Sequence, residues 1–354
     1  MKNVVAILVN DIHLTKDNGS LVKGMFEQLI AICKELKCNR IFCGGDVFTA
    51  RSGQPLSCLT DFKDILSNLE KNKIIFSTIP GNHDKTDGDD TKSYLDVYTA
   101  PNFELFSVGR IKILSRDLAI AFIPYFSDER WLNEYENIDE LIETMRIEGD
   151  LSTDANTILI THSGFDGVMN NDGTRVESII KPSIFEKWTN VLIGHYHNAS
   201  KLADNVIYTG AMYQNNFGEN YTDKGCTLIY SDGSIEFRPL KFPRYIKEVI
   251  DVDDSESLRN IVEKYEGENY DHVRLIFRGK KVDAKKINLA ELSSLGFDAK
   301  FESIEEAEFI QIAETESIVA YDKKAIMKDF VKFCNEQDIA GDKLKFGMNL
   351  MKRL

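Results

Sequence analysis

The sequence predicts an α/β protein with a layered core, followed by a smaller α+β module. Three observations predict it. Short apolar runs alternate with helical patterns over the first two-thirds of the chain, as expected for sheets covered by helices. Asp232-Gly233 between two apolar runs marks an antiparallel hairpin at the end of that region. Beyond Arg244 the texture changes to a short series of strands and helices.

Taken in order, Val4–Asn10, Arg40–Gly44, Ile74–Ile79, Thr157–Thr161 and Val191–Gly194 read as buried strands, being short and nearly continuous in apolar residues. Leu21–Lys37 and Pro55–Leu69 carry helical periodicity between them. Cys226–Tyr230 and Ile235–Leu240 form the hairpin arms, closing the sheet region near Pro243. The later module reads as a strand at Tyr245–Val252, a helix near Glu256–Lys264, a strand at His272–Arg278 and a helix near Lys286–Ser294. Two helical patterns end the chain, Lys323–Glu336 and Asp342–Arg353; in the first, Ile326, Phe330, Phe333 and Cys334 share one face. The implied division is a core over 1–243, a cap over 244–320 and a helical docking segment over 321–354.

Composition excludes several classes. No apolar run reaches the roughly 18 residues of a membrane span. Met1–Asn10 lacks the charged start and cleavage site of a secretory signal, so it reads as a first strand. The six cysteines form no CxxC pair, which argues against a zinc finger or a disulfide framework and for a reducing, cytoplasmic compartment. No GxxxxGK[ST] segment occurs, so hydrolysis of ATP by a P-loop is not expected. A net charge of −14 argues against coating nucleic acid by bulk electrostatics; metal ions, a local basic patch or a partner would have to supply positive field.

Chemistry concentrates in five short motifs, each just after an expected strand: Asp11-Ile12-His13, Gly44-Gly45-Asp46, Gly81-Asn82-His83-Asp84, His162, and Gly194-His195-Tyr196-His197. In layered α/β folds ligands bind at the carboxyl ends of strands, so the motifs should converge on one rim. Carboxylate, amide oxygen and imidazole nitrogen together suit divalent metal. In Asp11-Ile12-His13 and His195-Tyr196-His197, alternate residues of an extended segment point the same way, so each pair can grip one ion. A mixed N/O site with a shared carboxylate fits two ions about 3.5–4 Å apart, which activate water and stabilise the attacking and leaving oxygens at phosphorus.

This ordered set resembles the calcineurin-like metallophosphoesterase family. The resemblance implies a four-layer αββα sandwich with two divalent metal ions. It places Asp11, His13, Asp46 and His197 on the first ion, and Asp46, Asn82, His162 and His195 on the second, with Asp46 bridging. His83 becomes the general acid that protonates the leaving oxygen. Manganese is the expected metal, with magnesium, iron or zinc as alternatives. Within the family, Gly45-Asp46-Val47-Phe48 with Pro55-Leu56-Ser57, and Tyr208-Thr209-Gly210-Ala211 with Phe217-Gly218-Glu219 and Lys224-Gly225, resemble the SbcD-type DNA-repair nuclease branch and its phage recombination-endonuclease relatives.

That resemblance implies DNA as substrate, exonuclease action on duplex ends, endonuclease action on single strands, and an SbcC-type ATPase partner whose coiled coil receives the C-terminal helices. It also implies a bacterial or phage-infected cell. Pro55–Leu69 and Tyr94–Tyr98 fall where family members pair their cores, so a homodimer is expected. Arg278, Lys280 and Lys281 form the clearest basic cluster and are candidates for phosphate contact, a solvated surface being the plainer reading. Ile326, Phe330 and Phe333 are candidates for partner docking, and His272 reads as structural. The alternative function is a phosphatase or small-ester phosphodiesterase on the same core, which the acidic charge favours and the added modules disfavour. The Asp46 segment continues Val47-Phe48-Thr49-Ala50-Arg51 and lacks the Asp-Arg-Gly that resembles protein Ser/Thr phosphatases. A non-enzymatic scaffold is the third option, and the complete ligand set argues against it.

Overall fold

The computed structural model describes residues 2–170, 174–220, 222–265 and 272–303. It divides into two compact units, Met1–Lys247 with Gly267–Val273, and Glu248–Glu266 with Arg274–Leu354.

The first unit opens with β1 (Val4–Val9), α1 (Gly19–Leu36), β2 (Arg40–Cys43), α2 (Leu56–Lys71), β3 (Ile75–Thr78) and β4 (Phe103–Leu105). A second series follows: β5 (Arg110–Ser115), β6 (Leu118–Ile123), α3 (Asp128–Glu148), β7 (Asn156–His162), β8 (Asn190–Gly194), β9 (Ser200–Ala203) and β10 (Val206–Tyr208). β11 (Gly225–Tyr230) and β12 (Ile235–Pro239) return the chain to the first sheet. The result is two six-stranded mixed sheets, ordered β12-β11-β1-β2-β3-β4 and β5-β6-β7-β8-β10-β9.

The central strands β1, β6 and β8 are almost wholly apolar because both faces are covered. From β1, Ala6 and Leu8 point between the sheets, where they join Phe42, Ile120, Phe122, Ile158, Ile160 and Leu192. Phe42 and Phe122 meet edge to face, with ring centroids 5.0 Å apart. The alternate residues Ile7 and Val9 point the other way and pack with Val22, Phe26 and Leu29 of α1 and Phe62 and Leu66 of α2. On the far side, Leu159, Val191 and Ile193 pack with Trp131, Tyr135, Ile138 and Ile142 of α3. The layers therefore run αββα. α3 and the strands β4, β5, β6, β9 and β10 are not anticipated from sequence. Among the described residues no helix is long and apolar enough to cross a membrane.

A three-stranded sheet ordered β13 (Tyr245–Asp251), β14 (His272–Gly279), β15 (Asp298–Ser303) follows, with α4 (Ser255–Tyr265) and α5 (Leu289–Ser294); the first residues of β13 and β14, Tyr245–Lys247 and His272–Val273, belong to the first unit and the rest to the second. The single helix expected over Lys286–Ser294 is broken: a 3-10 turn runs Lys281–Lys286, and α5 begins after Asn288. Asn288 ends the continuity because its side chain accepts from the Glu291 N–H as an N-cap, which sets a new helix start. The expected C-terminal helices, with Ile326, Phe330 and Phe333, lie outside the described residues.

Candidate metal centre

Every motif residue singled out in the core lies at the carboxyl end of a strand. The β1, β2 and β3 ends carry Asp11 and His13, Asp46, and Asn82 and His83; β7 ends on His162 and β8 leads into His195 and His197. The local backbone is not the extended one that residue alternation suggests. Asp11, His13, Asp46 and His195 have φ of 51°, 47°, 55° and 98°. Left-handed backbone is costly for non-glycine residues and accumulates at functional sites. Asp11 and His13 still reach one cluster because the bend turns the chain between them and sends Ile12 into the core.

Glycine is required at two of the turns. A Cβ at Gly45, where φ is +102°, would lie 2.6 Å from His162 Nδ1. A Cβ at Gly81 would lie 2.1 Å from Asp46 Oδ1. Backbone bonds then lace the loops together: Asp11 N–H donates to Gly45 O at 3.1 Å and His13 N–H to Asp46 O at 3.0 Å. The buried Asp84 carboxylate accepts from the N–H groups of Gly81, Val47 and Phe48 at 2.9, 3.2 and 2.9 Å. Burial, with the nearby Asp46 charge adding to it, pushes the Asp84 carboxyl up against those three donors.

The side chains form two groups able to hold metal, Asp11–His13–His197 and Asp11–Asp46–His162, with ligand atoms in each within 4.8 Å of one another. Asp46 Oδ2 lies 3.6 Å from His13 Nε2 and 3.3 Å from His162 Nε2, so both carboxylates face both groups. Asn82 Oδ1 lies 3.1 Å from His162 Nε2 and 2.9 Å from His195 Nδ1, which brings the remaining two motif residues into contact with the second group.

The donor set fits divalent cations on tautomer grounds. His162 Nδ1 is 2.8 Å from the Gly44 carbonyl, which only accepts, so Nδ1 carries the proton. Its Nε2 lone pair then faces two oxygen acceptors. Likewise His197 Nδ1 bonds the Glu219 carboxylate at 2.7 Å, leaving Nε2 only 2.9 Å from Nε2 of His13. A cation satisfies the His162 Nε2 lone pair and its facing oxygens, whereas the His13–His197 contact is satisfied either by a cation or by a single shared Nε2–H. His13 Nδ1 is buried without a hydrogen-bond partner. A proton answers the same demand: burial acts to lower the His162 imidazole, but the Asp46 charge and hydrogen bond outweigh it and raise the group to about 9. His195 is lowered to about 3, chiefly by burial and by the positive charge of His162.

The cluster opens into a cleft of about 840 Å³ within the first unit. His83 and Arg51 stand on its wall. His83 Nδ1 bonds the Thr49 carbonyl, and its Nε2 lies 3.4 Å from Arg51 Nη2. The backbone N–H of His83 donates to Asp46 Oδ1 at 2.8 Å, which locks its loop to the cluster. Tyr245 and His272 line the same cleft, their rings stacked at 4.4 Å. Arg278, Lys280 and Lys281 belong to the second unit, where Arg278 pairs with Glu302 at 3.7 Å. Sequence reasoning assigns no role to Arg51, Asp84, Glu219 or Lys224. Glu219 and Lys224 stand in the segments Phe217-Gly218-Glu219 and Lys224-Gly225, but only the fold shows what they touch.

Two covering helix layers, two inner sheets and a histidine–carboxylate cluster on their shared rim define a layered α/β protein able to hold divalent metal. The model of the calcineurin-like phosphoesterase family matches residues 5–221, more than half of the chain, and the chain belongs to that family. The family is one of divalent-metal hydrolases. No match is found among curated proteins. One similar solved structure is the crystal structure of Pseudomonas putida nuclease MPE, at 15% identity and a TM-score of 0.27, over 48% of this chain and 66% of that one. So partial a likeness bears on neither fold nor activity here.

Proposed function

We propose that the protein is a two-metal phosphodiesterase acting on DNA, the nuclease subunit of an SbcCD-type repair or recombination complex. The observation that carries the metal-dependent chemistry is the convergence of Asp11, His13, Asp46, Asn82, His162, His195 and His197 on one strained rim, with the His162 Nε2 lone pair turned toward the Asp46 and Asn82 oxygens. In this reading Asp11, His13, Asp46 and His197 hold one ion, and Asp46, Asn82, His162 and His195 the other, with Asp46 shared. Bound ions would supply an activated water and a positive field at the phosphoryl oxygens. His83 Nδ1–H donates to the Thr49 carbonyl, which leaves Nε2 as the nitrogen facing the leaving oxygen; acting as general acid there requires a proton on both ring nitrogens. Arg51, beside Nε2, offers a guanidinium to an incoming phosphate.

The DNA substrate rests on sequence resemblance in the segments around Val47-Phe48 and Phe217-Gly218-Glu219, together with the small α+β unit after the core. Manganese, the SbcC-type ATPase partner, the DNA contacts of Arg278, Lys280 and Lys281, and docking through Ile326, Phe330 and Phe333 belong to the same proposal. Homodimer formation through α2 and the turn Tyr94–Val97 is supported by Leu56 and Val97, apolar side chains that are 75% and 67% exposed.

The test offers purified protein and Mn²⁺ both end-labelled linear DNA and bis-p-nitrophenyl phosphate. DNA cleavage is expected, lost on chelation and in His83→Gln. His83→Gln should keep its bound metal, whereas Asp46→Ala should lose metal and activity together; equal metal loss in the two would sink the assigned roles. Hydrolysis of the small ester with DNA left intact, even with the ATPase partner present, would favour a phosphatase or small-ester phosphodiesterase instead.

A further inference from the structure

Resting on the metal-centre reading above, the geometry points to Glu219 as a positioning residue that fixes the His197 imidazole for metal, with Lys224 completing the clamp. The Glu219 side chain is 2% exposed and that of Lys224 is fully buried. Burying a carboxylate and an ammonium is costly unless each is closely paired, and apolar packing would need neither. Both charges converge on one residue. Glu219 Oε1 accepts from His197 Nδ1 at 2.7 Å and from Asn216 Nδ2 at 3.1 Å, while Oε2 accepts from the Asn215 N–H at 3.0 Å. The carboxylate is thereby fixed on both oxygens, and the ring it holds cannot turn without breaking a charge-assisted bond.

Lys224 Nζ donates to the His197 carbonyl at 2.5 Å, to Asn198 Oδ1 at 3.2 Å and to Asp223 Oδ1 at 3.0 Å, and lies 3.8 Å from Glu219 Oε2. The imidazole of His197 is held by the acid and its main chain by the base. A carboxylate on the far nitrogen of a ligating histidine sets the tautomer and ring direction and raises ligand basicity. Here it leaves Nε2 unprotonated and turned toward Asp11 and His13.

The experiment uses the full chain. Mn²⁺ uptake is measured by equilibrium dialysis, alongside the melting temperature in chelator, for wild type, Glu219→Gln and His197→Gln. Glu219→Gln is expected to melt near wild type without metal but to bind its weaker-held ion about 10–100-fold less tightly, with the other ion retained. Added to His197→Gln, it should cost little further affinity. In parallel, ¹⁵N-histidine spectra of the wild-type chain with Zn²⁺ should show His197 protonated at Nδ1, a readout independent of how any variant folds. Wild-type uptake with unchanged affinity in Glu219→Gln, or a proton on Nε2 of His197, overturns this inference alone. A wild-type chain that takes up no divalent ion overturns the metal-centre reading and this inference with it.

Discussion

The loops after β1, β2 and β3 and the loops after β7 and β8 supply one cluster, yet they are anchored by different means. On the first-sheet side the anchors are mostly main chain. Asp11, His13 and Leu14 donate to Gly45, Asp46 and Val47, and Asp84 gathers three N–H groups from two loops. On the second-sheet side the anchors run through side chains. His162 reaches the Gly44 carbonyl, His197 leans on Glu219, and the His195 N–H rests on Asp11 Oδ1 at 3.1 Å. The first half therefore forms a self-supporting frame, and the second is hung from it and from charged neighbours. Damage to the frame should cost folding, whereas changes near the hung half should be more local.

The sharpest way to break that distinction is Asp84→Ala. It strands three buried N–H donors, each worth about 1–3 kcal/mol when unsatisfied, so a loss of about 3 kcal/mol or more in unfolding free energy is expected. Urea midpoints on the metal-free chain would measure it. A loss below about 1 kcal/mol would mean that the backbone lacing alone holds the frame. Trp131→Phe is the milder counterpart beside the second half. Trp131 Nε1–H donates to Thr161 Oγ1 at 2.8 Å, next to His162, and the Thr161 hydroxyl donates in turn to the Ile123 carbonyl. Removing the indole donor should cost about 1 kcal/mol and leave metal uptake unchanged, because His162 is oriented from Gly44 instead. Reduced uptake in Trp131→Phe would show that the second half depends on the packing behind it.

This difference also explains what could be read from sequence. Motifs such as Gly81-Asn82-His83-Asp84 are contiguous and follow apolar runs, so the rim and its residue types were legible. The hung half's supports were not: Glu219 lies 22 residues beyond His197, and no local pattern joins them. α3 escaped for another reason. Its buried residues Trp131, Tyr135, Ile138 and Ile142 form a thin stripe in a helix otherwise rich in charge, so amphipathic periodicity is weak. The extended geometry expected at Asp11 and His13 failed because loop closure over Gly45 and Asp46 overrides strand alternation.

A last contrast lies at the edge strand β4, where the sheets meet through a polar tie instead of a metal cluster. Glu104 of β4 accepts from Ser77 Oγ of β3 at 2.5 Å and from Lys112 Nζ of β5 at 2.6 Å, so the tie joins the first sheet to the second. Burial acts to raise the Glu104 carboxyl, but the Lys112 and Ser77 hydrogen bonds prevail and hold it below its ordinary 4.5. A folded value below the unfolded one stabilises the protein above the unfolded value, and that contribution fades as pH falls through the folded value. Because the pair is partly solvated, Glu104→Gln should lower stability at pH 7 by less than about 1 kcal/mol. The gap between wild type and variant should close as the pH drops below about 4. Paired denaturation curves across that range check it. A gap that widens toward acid would mean that the carboxylate is held at a net electrostatic cost, and that the two sheets are joined here by packing alone.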